Sequence, residues 1–120
     1  MILVDTSIWV DHLRHGNPDL ARRLDASEVL GHPLVLGELA MGNLRDRDVV
    51  LGALAALPQS AVARDDEVLV LVKREHLHGL GIGYADACLL AATRLTPSAQ
   101  LWTRDRRLAE VAVRMGVCAK

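Results

Sequence analysis

The chain has 120 residues, 51% hydrophobic and 24% charged, a size and balance that suit one domain over residues 1–120 with a single packed core. Its formal net charge of −1 excludes a global electrostatic footprint for nucleic acid or membrane and confines any such surface to a local cluster. With aromatics at 2% and no Phe, modules that stack bases on aromatic platforms are excluded, while contacts to phosphates are not.

Ile2, Leu3 and Val4 read as a short, wholly apolar strand of the kind buried on both faces of a parallel sheet. Asp5, Thr6 and Ser7 are helix-starting residue types, and Ile8, Trp9 and Leu13 make an apolar stripe that Gly16 ends. Asn17-Pro18 opens a second helix, with Arg22 and Arg23 on its solvated face. The stretch 28–36 is mixed: Val29-Leu30 reads as a strand, and Pro33 suits the first turn of a helix that Gly42 closes. A helix is expected over 46–57, stopped by Pro58, and a strand over 60–63.

The segment 65–74 carries conflicting signals. Val68, Val70 and Val72 alternate as in a strand, yet the acidic start and the Lys73-Arg74 end suit a helix, and helix is the reading adopted. A glycine-rich loop, "GLGIG", leads to a helix over 84–95 that Pro97 and Ser98 break. A strand over 100–103, a helix over 105–115 and a last short strand at Val117-Cys118 complete the chain. Short apolar strands alternating with helices predict an α/β fold with a parallel sheet covered on both faces. Cys88 and Cys118 sit in apolar settings and read as small core residues. Asp5 interrupts any signal-type apolar start, and no run approaches the roughly 18 residues of a membrane span, so a soluble, cytoplasmic protein is expected.

In such a fold, ligands bind beyond the carboxyl ends of the strands. Asp5 ends the first strand, Asp105 follows the strand at "LWT", and Asp86 lies in the first turn after "GLGIG". Glu38 lies on the helix after Val29-Leu30. At least two and up to four carboxylates could therefore meet at one edge. Each alone has an ordinary role as a helix cap, dipole partner or surface residue. Asp5 and Asp86, however, have strongly apolar surroundings in which a lone carboxylate is costly. Asp11, Asp25, Asp46, Asp48, Glu67 and Glu110 read as solvated. Crowded carboxylates repel unless a cation joins them, and Mg²⁺ suits a few carboxylates plus phosphate. The histidines and cysteines show no zinc-type spacing.

"LVDTS", Glu38, "GIGYADACLLAA" and "LWTRD" together resemble the PIN domain, and more narrowly the VapC toxins of bacterial type II toxin–antitoxin pairs. The resemblance covers nearly the whole chain in family order and spacing. It implies an α/β/α sandwich around a short parallel sheet and a Mg²⁺- or Mn²⁺-dependent endoribonuclease that leaves a 5′-phosphate and a 3′-hydroxyl. By position, the site would be Asp5, Glu38, Asp86 and Asp105, as catalytic and metal-binding groups, with Ser7 and Thr103 orienting the acidic cluster. Arg104, Arg106 and Arg107 would then receive RNA phosphates and offset the site's repulsion of a polyanion; the alternative is a solvated helix start. The resemblance also implies a homodimer and a cognate VapB-type antitoxin laid along an apolar groove, for which Trp9, Leu39 and Met41 are candidates if they are not core.

Two rivals fail on particular residues. A dinucleotide-binding fingerprint would follow a strand, whereas Gly79, Gly81 and Gly83 follow a helix; a haloacid-type phosphotransferase would carry Asp where Ser7 stands. The remaining alternative is a non-catalytic PIN-like module that binds RNA or a partner without cutting.

Overall fold

Three short parallel strands, β1 (Ile2–Val4), β2 (Val29–Leu30) and β3 (Gln100–Trp102), form a sheet in the order β2-β1-β3 in the computed structural model, which describes residues 1–119. Successive side chains of a strand point to opposite faces, yet all three residues of the central β1 are buried. Both faces of the sheet are therefore covered, as the apolar run predicted. Around it, among the described residues, lie α1 (Thr6–His15), α2 (Pro18–Asp25), α3 (Pro33–Ala40), α4 (Arg47–Ala55), α5 (Asp65–Arg74), α6 (Tyr84–Leu95) and α7 (Arg106–Arg114).

The helix starts follow local chemistry. Asp5 and Asn17 accept hydrogen bonds from the backbone N–H groups of Thr6 and Leu20, and Pro18 sits where an N–H would have no partner. The cap of α3 is unusual. His32, buried at the end of β2, accepts the Leu34 N–H through Nδ1 at 3.0 Å, so the ring carries its proton on Nε2. Segment 65–74 resolves as helix because its burial has a helical period. Val68 and Leu71 are buried while Val70 between them is 53% exposed, whereas a strand would have buried 68, 70 and 72 together.

The strand expected at Val117-Cys118 shrinks to a single parallel bridge between Cys118 and Leu101, and a second parallel bridge joins Gln59 to Gly31. No strand forms over 60–63: the Ala61 N–H is satisfied by the Thr96 hydroxyl at 2.9 Å, so a side chain takes the place of a sheet ladder. Both cysteines are free and pack, partly buried, against the core. Among the described residues no helix is long and apolar enough to cross a membrane.

Three features of this frame position the site. Val4 pairs with Trp102, and the Asp5 N–H continues the ladder to the Trp102 carbonyl at 2.9 Å, which sets Asp5 beside Thr103 at the carboxyl edge. Helix α6 is the most deeply packed, with Ala87 and all of Leu89, Leu90, Ala91, Ala92 and Thr93 buried. Helices α5 and α6 run side by side in the same direction: Tyr84 bonds Asp65 at their starts, and Arg94 pairs with Glu75 at their ends.

Candidate active site

Asp5 is 7% exposed and accepts hydrogen bonds on both oxygens. Oδ1 takes the Thr6 N–H at 2.8 Å, and Oδ2 takes the hydroxyls of Thr103 at 2.6 Å and Ser7 at 3.1 Å. The same hydroxyls reach the next strand end. The Arg104 N–H donates to Ser7 Oγ and the Asp105 N–H to Thr103 Oγ1, each at 3.0 Å. Asp105 caps α7 by accepting the N–H groups of Arg107 and Leu108 on Oδ1. Two neighbouring strands thus deliver Asp5 and Asp105 to one edge, and two hydroxyls fix how they sit.

Asp86 enters from α6. Its Oδ2 accepts the Gly83 N–H at 2.9 Å, which closes the first turn of the helix. Its carboxyl lies above the ordinary aspartate range, chiefly because burial disfavours the charged form and further because the negative fields of Asp5 and Asp105 reach it; the Gly83 bond opposes the rise. Glu38 arrives differently. It is exposed on α3, and its link to the others is the Thr6 hydroxyl, which donates to Oε1 at 2.8 Å. Thr6 was not singled out from the sequence, where it read only as a helix-starting type. The pairing depends on how α1 meets α3.

The donor set is all oxygen, and mutual repulsion among carboxylates is the condition that a divalent cation relieves. Among the described residues, no three His, Cys, Asp or Glu side chains form a ready-made chelating cluster. Carboxylates that interact through their fields and through hydroxyls, rather than touching, fit a hard ion that keeps much of its water, as Mg²⁺ does, and not a closed zinc cage.

The three arginines separate into distinct roles. Arg104 forms an ion pair with Asp11 at 2.8 Å, which corrects the reading of Asp11 as merely solvated. Arg106 pairs with Glu110 one turn on, at 91% side-chain exposure, and is the one best described as a solvated helix start. Arg107 lies across Gly81 in the loop before Asp86. A Cβ at Gly81 would push this flexible guanidinium aside, and φ there is +80°, the left-handed conformation that calls for glycine.

A groove of about 590 Å³ between α1, α3 and the start of α4 is lined by Val10, Leu13, Leu39 and Val50 and opens onto Glu38. Of the three groove candidates, Leu39 lines it. Trp9 is 5% exposed and belongs to the core, because the α1 stripe that carries it faces the sheet; Met41 is 88% exposed and lies outside the lining. A second hollow, of about 360 Å³ between α5 and α6, contains none of the four carboxylates.

Comparison with known proteins agrees with this architecture. The PIN domain family profile matches residues 2–114. Ribonuclease VapC32 from two strains of Mycobacterium tuberculosis is 50% identical over 117 residues, spanning 98% of this chain and 94% of the relative.

Proposed function

The chain belongs to the PIN-domain family, and from that premise we propose that it is a VapC-type endoribonuclease, the toxin of a toxin–antitoxin pair, using Mg²⁺ or Mn²⁺ held by Asp5, Glu38, Asp86 and Asp105. The observation that carries the site assignment is Asp86 sitting half-buried in the fields of Asp5 and Asp105. Each of the three also caps a helix, which accounts for each acid singly; what capping leaves over is their mutual repulsion, which a cation in a polyanion-cleaving centre would relieve.

A divalent ion bound there supplies a water of lowered pKa and stabilises charge on the scissile phosphate. The chain's own groups do the positioning. Thr103 and Ser7 hold Asp5 in one orientation, and Thr6 holds Glu38. Asp86 keeps Oδ1 free while Oδ2 is engaged by Gly83, so Oδ1 is the oxygen it would turn to the ion or to the water the ion carries. Arg107 and, once released from Asp11, Arg104 are the phosphate contacts of the RNA strand. Arg106 is a weaker candidate for that task.

The groove beside Glu38 is the proposed seat of a VapB-type antitoxin segment, whose apolar side chains would face Leu13 and Leu39 while a basic one reached the acidic edge. A homodimer working in the cytoplasm completes the reading. The deciding experiment is cleavage of bacterial RNA by purified protein, with chelator and then with Mg²⁺, for wild type and Asp5→Asn. Mg²⁺-dependent cleavage lost in the variant supports the assignment. RNA binding by wild type without cleavage would replace it with a non-catalytic binding module.

A further inference from the structure

We propose that the outer face of α5 is a docking surface for a second copy of this chain, which lies antiparallel on it across a two-fold axis; this rests on the homodimer reading above and gives it a place. Helix α5 buries Val68 and Leu71. At about 100° per residue, Asp66, Leu69, Val70 and Lys73 form one row centred about 180° from that buried pair. All four are exposed. Leu69 is 60% and Val70 53% exposed, two adjacent apolar side chains with no part in the core.

The row is complementary to itself. Its acidic residue stands toward the helix start, its basic residue toward the helix end, and its two apolar residues midway. Turned end for end about a point between Leu69 and Val70, it lays Asp66 on the second copy's Lys73, Leu69 on its Val70, and Lys73 on its Asp66. Every contact is then made twice, as an isologous interface requires. A parallel arrangement would set like charges together, and a foreign partner would ask for no such internal symmetry. Asp66 pairs with Arg64 at 3.0 Å within one copy, but both side chains are exposed, and a pair of that kind is worth little. It yields to a contact made in a drier interface.

The apolar part of the face continues onto α6. The hollow of about 360 Å³ between α5 and α6 is lined by Val70, Leu71, Ala91 and Leu95, and Val70 and Leu95 are exposed as well. The second copy's Leu69, lying against Val70, is the side chain placed to enter it. The two-fold axis fills both hollows at once and removes from water an apolar surface that each copy alone leaves exposed.

The test is light scattering of the full chain over a concentration series, which gives the dissociation constant of the dimer. Leu69→Asp should raise it about 100-fold, since two apolar side chains leave the centre and two charges take their place. Asp66→Lys and Lys73→Asp should each raise it about tenfold, because each sets two like-charged pairs face to face. Mixed in equal amounts, these two charge variants should recover the wild-type constant as a heterodimer, in which both pairs are again of opposite sign. All three positions are exposed, so circular dichroism should show an unchanged fold, and the charge variants keep the test decisive if Leu69→Asp is poorly folded. A wild type that stays monomeric at every concentration would overturn this face and the homodimer together. A dimer that all three variants leave intact, or charge variants that do not recover on mixing, would overturn this face and leave a homodimer through another surface. Helix α5 holds none of the four site carboxylates, so RNA cleavage reads the nuclease site separately.

Discussion

The four proposed carboxylates reach their edge by two different kinds of support. On the sheet side, Asp5 and Asp105 follow adjacent strands, and Asp5 and its neighbours are tied by Thr103 and Ser7 into a network that includes two backbone N–H groups. On the α3 side, Glu38 stands exposed on an eight-residue helix and is held by one hydroxyl, that of Thr6. The contrast is between a half of the site organised by the β-ladder and a half organised by helix packing. A ladder fixes register residue by residue. A short helix sets only the position of its axis, so its side chain retains freedom to meet an incoming ion or to be drawn toward a partner in the neighbouring groove.

The largest expected effect breaks the sheet half outright. Asp5→Asn should lower Mg²⁺-dependent cleavage by more than the roughly 10- to 100-fold typical of losing a supporting partner. Steady-state rates on RNA, with circular dichroism to confirm folding, measure it. Retention of wild-type rates would remove Asp5 from the site.

Thr103→Val tests the support rather than the carboxylate. It deletes a donor to Asp5 and an acceptor for the Asp105 N–H, and should cost about 10- to 100-fold in activity and about 1–3 kcal/mol in stability. Thr6→Val is its counterpart on the α3 side. It frees a carboxylate that water can reach, so the stability loss should be about 0.5–1 kcal/mol and the rate loss below about tenfold. Urea unfolding and cleavage rates of the two variants, run side by side, would erase the contrast if Thr6→Val proved as damaging as Thr103→Val.

The arginines extend the comparison to binding. Arg107→Ala should flatten the dependence of log Kd on log salt by about one phosphate contact. Arg104→Ala should do less, because its guanidinium must first leave Asp11. Asp11→Asn should steepen the slope by freeing it. Fluorescence anisotropy titrations over a salt series read all three.

The smallest effect is a pH dependence. Asp86 has a folded pKa raised above its unfolded value near 3.8, so its contribution to stability is fully present below that value and is lost as pH rises through the raised one. With chelator present, Asp86→Asn should therefore melt higher than wild type at neutral pH, and the gap should close as pH falls toward the unfolded value. Comparing the two proteins isolates Asp86 from His32. Burial lowers the His32 pKa, and its contribution is lost in the opposite direction, as pH falls below about 6.5 toward the lowered value. A gap that does not change with pH would show that the Asn variant acts through the helix cap alone.

What could be read from residues alone was local. Three apolar residues ending in Asp, Pro at first helical turns, Asn17 before Pro18 and Gly16 at a helix end each declare an element through chemistry confined to a few neighbours, and those elements stand where they were expected. The strand-end positions of Asp5 and Asp105 followed from the same signals, because an element's end is itself a local property. Tertiary structure decided what meets what. Thr6 holds Glu38 across 32 residues of chain, and Arg104 turns to Asp11. Arg107 covers Gly81, Trp9 enters the core, and the Ala61 N–H goes to Thr96 instead of a strand. Each of these depends on the crossing of two elements and on the rotation of each about its axis. Those quantities are set by the sum of core packing, and no short window of sequence contains them.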